Sequence, residues 1–397
     1  NMINLLYFDN EDNNLFGISQ SHIYSLTFYL KQLEIEYEYI KYQNHNKGFL
    51  LFNLLLIPSV TPEIKNILST IKNTNIKILL YHGGEGMSYY GCYEDHKNLW
   101  DTFITSLVDF QIVPERIYYI TSDLKLMKSP NEYYNKMNKL SINFYECACL
   151  FRNAIDLNLV NPYCKKNKLF LSLNATPRPE RQVLYYYLKK NNLIKDNYFS
   201  FLWNSIESIQ NNTDDWNKYH RNHIDEFNYD NTDWSKEKFS INDPVYLDDY
   251  YTIPEEQEIP CDARTFHQDR FLPDWYNQSV FSLVTECATT PNILYLTEKI
   301  YKPLMIGHPF LVWGSPGTLE YLRSQGYQTF PELFDESYDY LDEKNRLKLI
   351  IENVKNSKIK QYTPQIIEKI EYNKQLFLKQ NEKLKNKKKL ERFLNVQ

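Results

Sequence analysis

Residues 295–317 read Tyr295-Leu296-Thr297-Glu298-Lys299-Ile300-Tyr301-Lys302-Pro303-Leu304-Met305-Ile306-Gly307-His308-Pro309-Phe310-Leu311-Val312-Trp313-Gly314-Ser315-Pro316-Gly317. Glu298 and Lys299 stand side by side where a short helical pattern begins. The chain then turns through Gly307 and Pro309 into an apolar strand, Phe310 to Trp313, with Gly314 and Gly317 after it. A carboxylate, an ammonium and helix-start N–H groups beside glycine turns suit a nucleotide. The carboxylate answers ribose hydroxyls, and the cations and N–H groups answer phosphates. A nucleotide-sugar site is the leading expectation.

Working outward, the ten glycines are unevenly placed, with none between Gly91 and Gly307. Gly83, Gly84, Gly86 and Gly91 form one cluster, and Gly307, Gly314, Gly317 and Gly326 another. Glycine serves where the backbone turns with positive φ or approaches a ligand closely. Two clusters, each after an apolar strand, suggest two loops facing one cleft.

Strands are expected at 3–8, Phe49 to Ile57, Ile76 to Tyr81 and Arg116 to Thr121. Helices are expected at 21–34, Pro62 to Thr74 (capped by Thr61) and 97–112. A second unit begins near Lys168, with strands Leu169 to Leu173, Phe199 to Trp203 and Ser279 to Thr285. In it Arg181 opens a helix running to about Asn191, and a further helix spans 341–356. Strands alternating with helices argue for parallel sheets of Rossmann type, which bind ligands at strand C-terminal ends. The expected fold is α/β of the GT-B class, two Rossmann-like domains whose parallel sheets face a central cleft. The expected domains are 1–160 on the acceptor side and 161–362 on the nucleotide-sugar side, with a polar insertion at about 204–262. The remainder, 363–397, reads as a C-terminal helix packing back on the N-terminal domain.

The 397 residues are 43% hydrophobic and 24% charged, with net charge −5. That balance gives no basic field for nucleic acid, so none is expected as a partner. No run of 18 apolar residues suggests a membrane span, and Asp9 comes too early for a secretory signal. Six scattered cysteines contain no Cys-x-x-Cys pair, which reads as reduced thiols in a cytosol. Enrichment in Asn, Lys, Ile and Tyr points to a low-GC coding genome, microbial or viral. No Asp-x-Asp pair occurs, so no metal and no cofactor are expected. The basic run Lys383 to Arg392 reads first as a solvated helix and second as a contact for an anionic membrane.

Tyr295-x-Thr297-Glu298-Lys299 resembles the signature of the α-1,3-fucosyltransferase family, which has a GT-B fold and uses GDP-fucose. Phe281 to Glu286 resembles the strand before that signature. Gly307 through Pro309 to Gly314 resembles the strand after it, and Ser172-x-Asn174 with Arg181 resembles a strand-Asn-Arg segment. The match covers roughly 169–190 and 280–317. This chain has Cys287-Ala288 where the family has Asn-Ser. The resemblance implies a sugar-nucleotide transferase with Lys299 on the donor diphosphate.

The expected roles follow from residue chemistry. Lys299 and Arg181 hold the diphosphate, with Arg178 as the substitute for Arg181 and Lys302 as a second cation. Glu298 accepts from ribose hydroxyls. Asn174 and Thr297 line the donor site. Glu286 binds the donor sugar or caps the next turn, and Tyr295 packs on base or ribose, or in the core. His308 reads as structural. Inverting transfer needs a base to take the acceptor hydroxyl proton. Glu85 is the first choice and His82 the second. The expected activity is metal-independent transfer of a sugar from a GDP-fucose-like donor to a glycan or other hydroxyl acceptor. The alternatives are a non-catalytic sugar-nucleotide or glycan-binding protein, and a viral-type enzyme glycosylating nucleic-acid bases.

Overall fold

The computed structural model describes residues 2–7, 26, 30–31, 33–42, 48–53, 61–82, 94–126, 131–142, 160–174, 178–200, 228–231, 273–379 and 382–394. The chain forms two compact units. The first comprises Asn1–Cys149, Asn292–Tyr295 and Asn381–Gln397, and the second Leu150–Pro291 and Leu296–Gln380.

The first unit holds β1 (Ile3–Tyr7), β2 (Tyr37–Lys41), β3 (Phe49–Asn53), α1 (Pro62–Ile71), β4 (Lys77–His82), α2 (Glu94–Asp109), β5 (Ile117–Thr121), α3 (Glu132–Lys136) and β6 (Asn138–Ser141). Among the described residues its six strands are parallel, in the order β2-β1-β3-β4-β5-β6. Period-2 alternation splits the strand residues between two cores, as a sheet covered on both faces requires. Leu50, Phe52, Ile78, Leu80 and Tyr119 enter one core. Phe49, Leu51, Leu79, Tyr81 and Ile120 enter the other. Helix α1 buries Ile64, Ile67, Leu68 and Ile71, a 3.6-period stripe, and Thr61 caps it by accepting from Ile64 N. In the expected 21–34 helix, Leu26, Leu30 and Leu33 are buried at matching spacing.

Strand β5 starts at Ile117 rather than Arg116. The Arg116 guanidinium turns back and donates to the carbonyls of Ile71 (3.0 Å), Lys72 (3.1 Å) and Ile76 (2.7 Å). Strands β2 and β6 lie at the two ends of the sheet and are largely half-buried. Half-buried edge strands lack the long apolar run that marks an interior strand.

The second unit holds β7 (Lys168–Leu173), α4 (Pro179–Lys190), β8 (Tyr198–Ser200), α5 (Pro273–Gln278), β9 (Ser279–Thr285), α6 (Glu298–Ile306), β10 (Phe310–Trp313), α7 (Thr318–Ser324), α8 (Glu343–Asn356) and α9 (Pro364–Lys379). Among the described residues its four strands are parallel, in the order β10-β9-β7-β8. From β7 the chain steps outward to β8, then returns to the far side of β7 as β9. The winding direction therefore reverses between β7 and β9, the point where doubly wound sheets bind ligands. Helix α4 opens at Pro179 with Arg178 as its N-cap residue, so Arg181 is its third residue rather than its first. The expected insertion at 204–262 lies outside the described residues except for 228–231. A last helix, α10 (Glu382–Leu394), belongs to the first unit and sends Leu390 and Leu394 into its core. The protein is thus an α/β molecule of two Rossmann-like units with parallel sheets, as the GT-B class requires. Among the described residues no helix is long and apolar enough to cross a membrane.

Candidate functional site

The site is built at the C-terminal ends of β7 and β9. Strand β9 is buried along its whole length and delivers Glu286 to a fully buried position. Glu286 accepts from the Thr297 backbone N–H (3.1 Å) and from the Thr297 hydroxyl (2.7 Å). Thr297 is the N-cap of α6, and its hydroxyl oxygen accepts from Lys299 N (3.3 Å). Glu286 thereby holds the turn that carries Glu298 and Lys299. Burial pushes its carboxyl above the ordinary range, and Lys299 and Thr297 pull it back only in part.

Glycines allow this close packing. A Cβ on Gly314 would lie 3.3 Å from Glu286 Cβ and Cγ. Gly307 ends α6 at φ 73°, where a Cβ would meet Ile370 Cγ2 at 2.7 Å. The N–H groups at the start of α7, however, are taken within the protein. Asp339 accepts from Leu319 N and Glu320 N, each at 3.1 Å. The Gly314–Gly317 loop therefore shapes the site by packing, and the α7 amides of Leu319 and Glu320 are already satisfied.

Two cations from separate elements converge here. Lys299 Nζ lies 2.9 Å from Glu298 Oε1, 3.0 Å from Thr297 Oγ1 and 3.3 Å from Cys287 Sγ. Arg181 Nη2 points at the same sulfur from α4, at 3.9 Å. Cys287 thus sits between the two residues expected on the diphosphate. Asn174 follows β7 and is buried. Its Nδ2 donates to Ser172 Oγ (3.1 Å), while its Oδ1 has no hydrogen-bond partner. Glu298 Oε2 is likewise buried and without a partner. Lys302 stands half-buried one turn further along α6.

Tyr295 is buried and groups with the first unit. His82 ends β4 in the first unit, also buried, with Nδ1 3.3 Å from Tyr119 Oη. Glu85 lies outside the described residues, as do Gly83, Gly84, Gly86 and Gly91. His308 is structural. Its Nε2 donates to Ser279 O (3.1 Å), and its Nδ1 accepts from the Ser282 hydroxyl (2.9 Å). Burial, helped by Lys166, pushes it down to about 3, so it is neutral. Among the described residues, no group of three or more His, Cys, Asp or Glu side chains is placed to hold a metal ion.

No family model and no curated protein matches the chain. A solved structure described as a crystal structure of alpha1,3-fucosyltransferase is similar over 96% of this chain and 92% of that one. The identity is 13% and the TM-score 0.33. At that score the likeness carries no argument, so function is read from the site's own geometry.

Two residues at the site were not singled out by sequence reasoning for a role. Cys287 carried only one signal, its departure from Asn-Ser after Glu286. Glu180, in the first turn of α4, is only 9% exposed. Nothing local marks it as buried.

Proposed function

We propose that the second unit is the donor-binding half of a glycosyltransferase. The observation that carries this reading is the convergence of Arg181 and Lys299 on Cys287, beside Glu298, where the winding of the sheet reverses. An arginine fork and a lysine held from two elements suit a diphosphate. Glu298, with one oxygen on Lys299 and one unpartnered, suits a ribose hydroxyl. The favoured donor is a nucleotide sugar of GDP-fucose type, and the acceptor a glycan or other hydroxyl. In the proposed step the acceptor oxygen attacks the anomeric carbon as a carboxylate base, Glu85, takes its proton. The bond to the diphosphate breaks with inversion, and Arg181 and Lys299 stabilise the charge that grows on the leaving group. No metal is required in this scheme.

Arg181→Ala and Lys299→Ala are each expected to weaken GDP binding at least tenfold, about 1.4 kcal/mol, by isothermal titration calorimetry. Unchanged affinity for both GDP and UDP in both variants would overturn the assignment. Cys287-Ala288, in place of the family's Asn-Ser, favours a second reading, a sugar-nucleotide-binding protein without turnover. Transfer or donor hydrolysis in an acceptor screen separates the two.

A further inference from the structure

Cys287 follows β9 and, among the described residues, is in no disulfide. The Lys299 ammonium has three N–H groups, and among the described residues it meets three acceptors. These are Glu298 Oε1 (2.9 Å), Thr297 Oγ1 (3.0 Å) and Cys287 Sγ (3.3 Å). An arriving phosphate oxygen must take the place of one of them. Thr297 is committed to Glu286 and to the cap of α6, and Glu298 is ion-paired to the lysine. The sulfur is the most distant of the three and a weak acceptor, so it is the one that yields. Arg181 Nη2 reaches the same sulfur from α4 at 3.9 Å. Ammonium and guanidinium groups only donate, so the sulfur accepts from both, the role a thiolate fills best. The same cluster keeps a place for a ligand. Glu298 is 7% exposed, and its Oε2, on the carboxylate paired with Lys299, has no hydrogen-bond partner. Buried acceptors left unpaired are rare.

We propose that Cys287 is a modification site set inside the donor site. Its sulfur keeps the place of a diphosphate between Arg181 and Lys299, and its oxidation by a hydroperoxide closes that place. The inference rests on the reading that Arg181 and Lys299 bind a diphosphate. In the step, the sulfur attacks one peroxide oxygen. An S–O bond forms, the O–O bond breaks, and the departing hydroxide leaves as water with the thiol proton. The sulfur gives up two electrons and the peroxide takes them. Cys287 becomes a sulfenic acid, which small thiols reduce back to the thiol. Cations beside a sulfur are the setting in which cysteines react readily. Cys287 is 8% exposed and the Lys299 side chain 16%, so a molecule as small as hydrogen peroxide is the fitting oxidant. The added oxygen is a stronger acceptor than the sulfur and competes with a phosphate oxygen for the same two cations. Conversely, a bound diphosphate covers the sulfur.

The test follows Cys287 in the full chain by peptide mass spectrometry during alkylation with iodoacetamide. GDP or pyrophosphate, at about ten times its Kd, is expected to slow alkylation of Cys287 about tenfold, as occupancy requires. The half-buried Cys164 should react at an unchanged rate. Hydrogen peroxide is expected to abolish GDP binding in isothermal titration calorimetry, and dithiothreitol to restore it. Cys287→Ser, whatever its own affinity, should lose none of it on the same treatment. Should Cys287→Ser not fold, the loss in wild type must track the oxidised fraction of the Cys287 peptide. No alkylation of Cys287, alkylation indifferent to both probes, or GDP binding that survives oxidation of Cys287 overturns this inference and leaves the diphosphate site standing. An equal loss in Cys287→Ser overturns it as well. Failure of untreated wild type to bind either probe overturns the diphosphate reading itself.

Discussion

Thr297 joins β9 to α6 through four hydrogen bonds, two given to Glu286 and two accepted from Lys299, from its backbone N and its Nζ. Thr297→Val keeps the shape and deletes the hydroxyl. It removes an N-cap and strips a donor from a fully buried carboxylate, so it should cost about 2 kcal/mol in urea unfolding. Thr297→Ser should cost far less, and a loss below roughly 0.5 kcal/mol for Val would contradict this account. The pH dependence has a definite sign. Thr297 lowers Glu286, whose folded value is nonetheless raised by burial. An acid raised on folding binds more protons folded than unfolded, so stability falls as pH rises above the ordinary carboxylate range. Losing Thr297 raises Glu286 further, and the deficit should be larger at neutral than at acid pH. Glu298, Lys299 and Thr297 were legible because their chemistry is written in five consecutive residues. Glu180 and Cys287 were not, because their setting depends on contacts such as Arg181–Cys287, which spans 106 positions. No local pattern reports whether a glutamate in a first helical turn is covered by such a partner.

Among elements, Arg116 shows how one side chain ends a helix and starts a strand. Its guanidinium takes the carbonyls of Ile71 and Lys72 at the end of α1 and that of Ile76 just before β4. Helix C-termini leave carbonyls without partners, and a planar fork can serve several at once. Arg116→Ala should lower stability by about 1–3 kcal/mol, and Arg116→Lys should recover less than half of that, because an ammonium cannot reach the same set. Full recovery with lysine, read from denaturation midpoints at constant slope, would show that charge alone matters there. The same contrast explains which elements the sequence revealed. Strand β10 is a continuous apolar run and β9 is interrupted in its interior only by Ser282, and both occupy the residues expected for them, 279–285 and 310–313. Strand β2 mixes Tyr37, Glu38, Tyr39, Ile40 and Lys41 at a sheet edge, where side chains need not be apolar. Its existence is fixed by pairing with β1, a non-local event that leaves little trace in its own composition.

At the scale of the whole molecule, the chain does not visit its two units in simple succession. It leaves the second unit for Asn292–Tyr295, re-enters it at Leu296, and returns to the first unit at Asn381. The returning helix α10 inserts Leu390 and Leu394, four residues apart on one face, into a core with Leu30, Leu33, Leu79 and Ile120. Deleting either side chain to alanine removes buried apolar contact and should cost about 2–5 kcal/mol. In scanning calorimetry, Leu390→Ala with Leu394→Ala should lower the transition belonging to the first unit. The transition of the second unit, where α9 ends at Lys379, should stay near its wild-type temperature. Saturating GDP then assigns the transitions, because a ligand of the folded state raises the melting temperature of the unit that binds it. The prediction is that GDP moves only the transition left unchanged by the double substitution. If instead the double substitution lowers every transition together, the two units unfold as one cooperative body and α10 stabilises both.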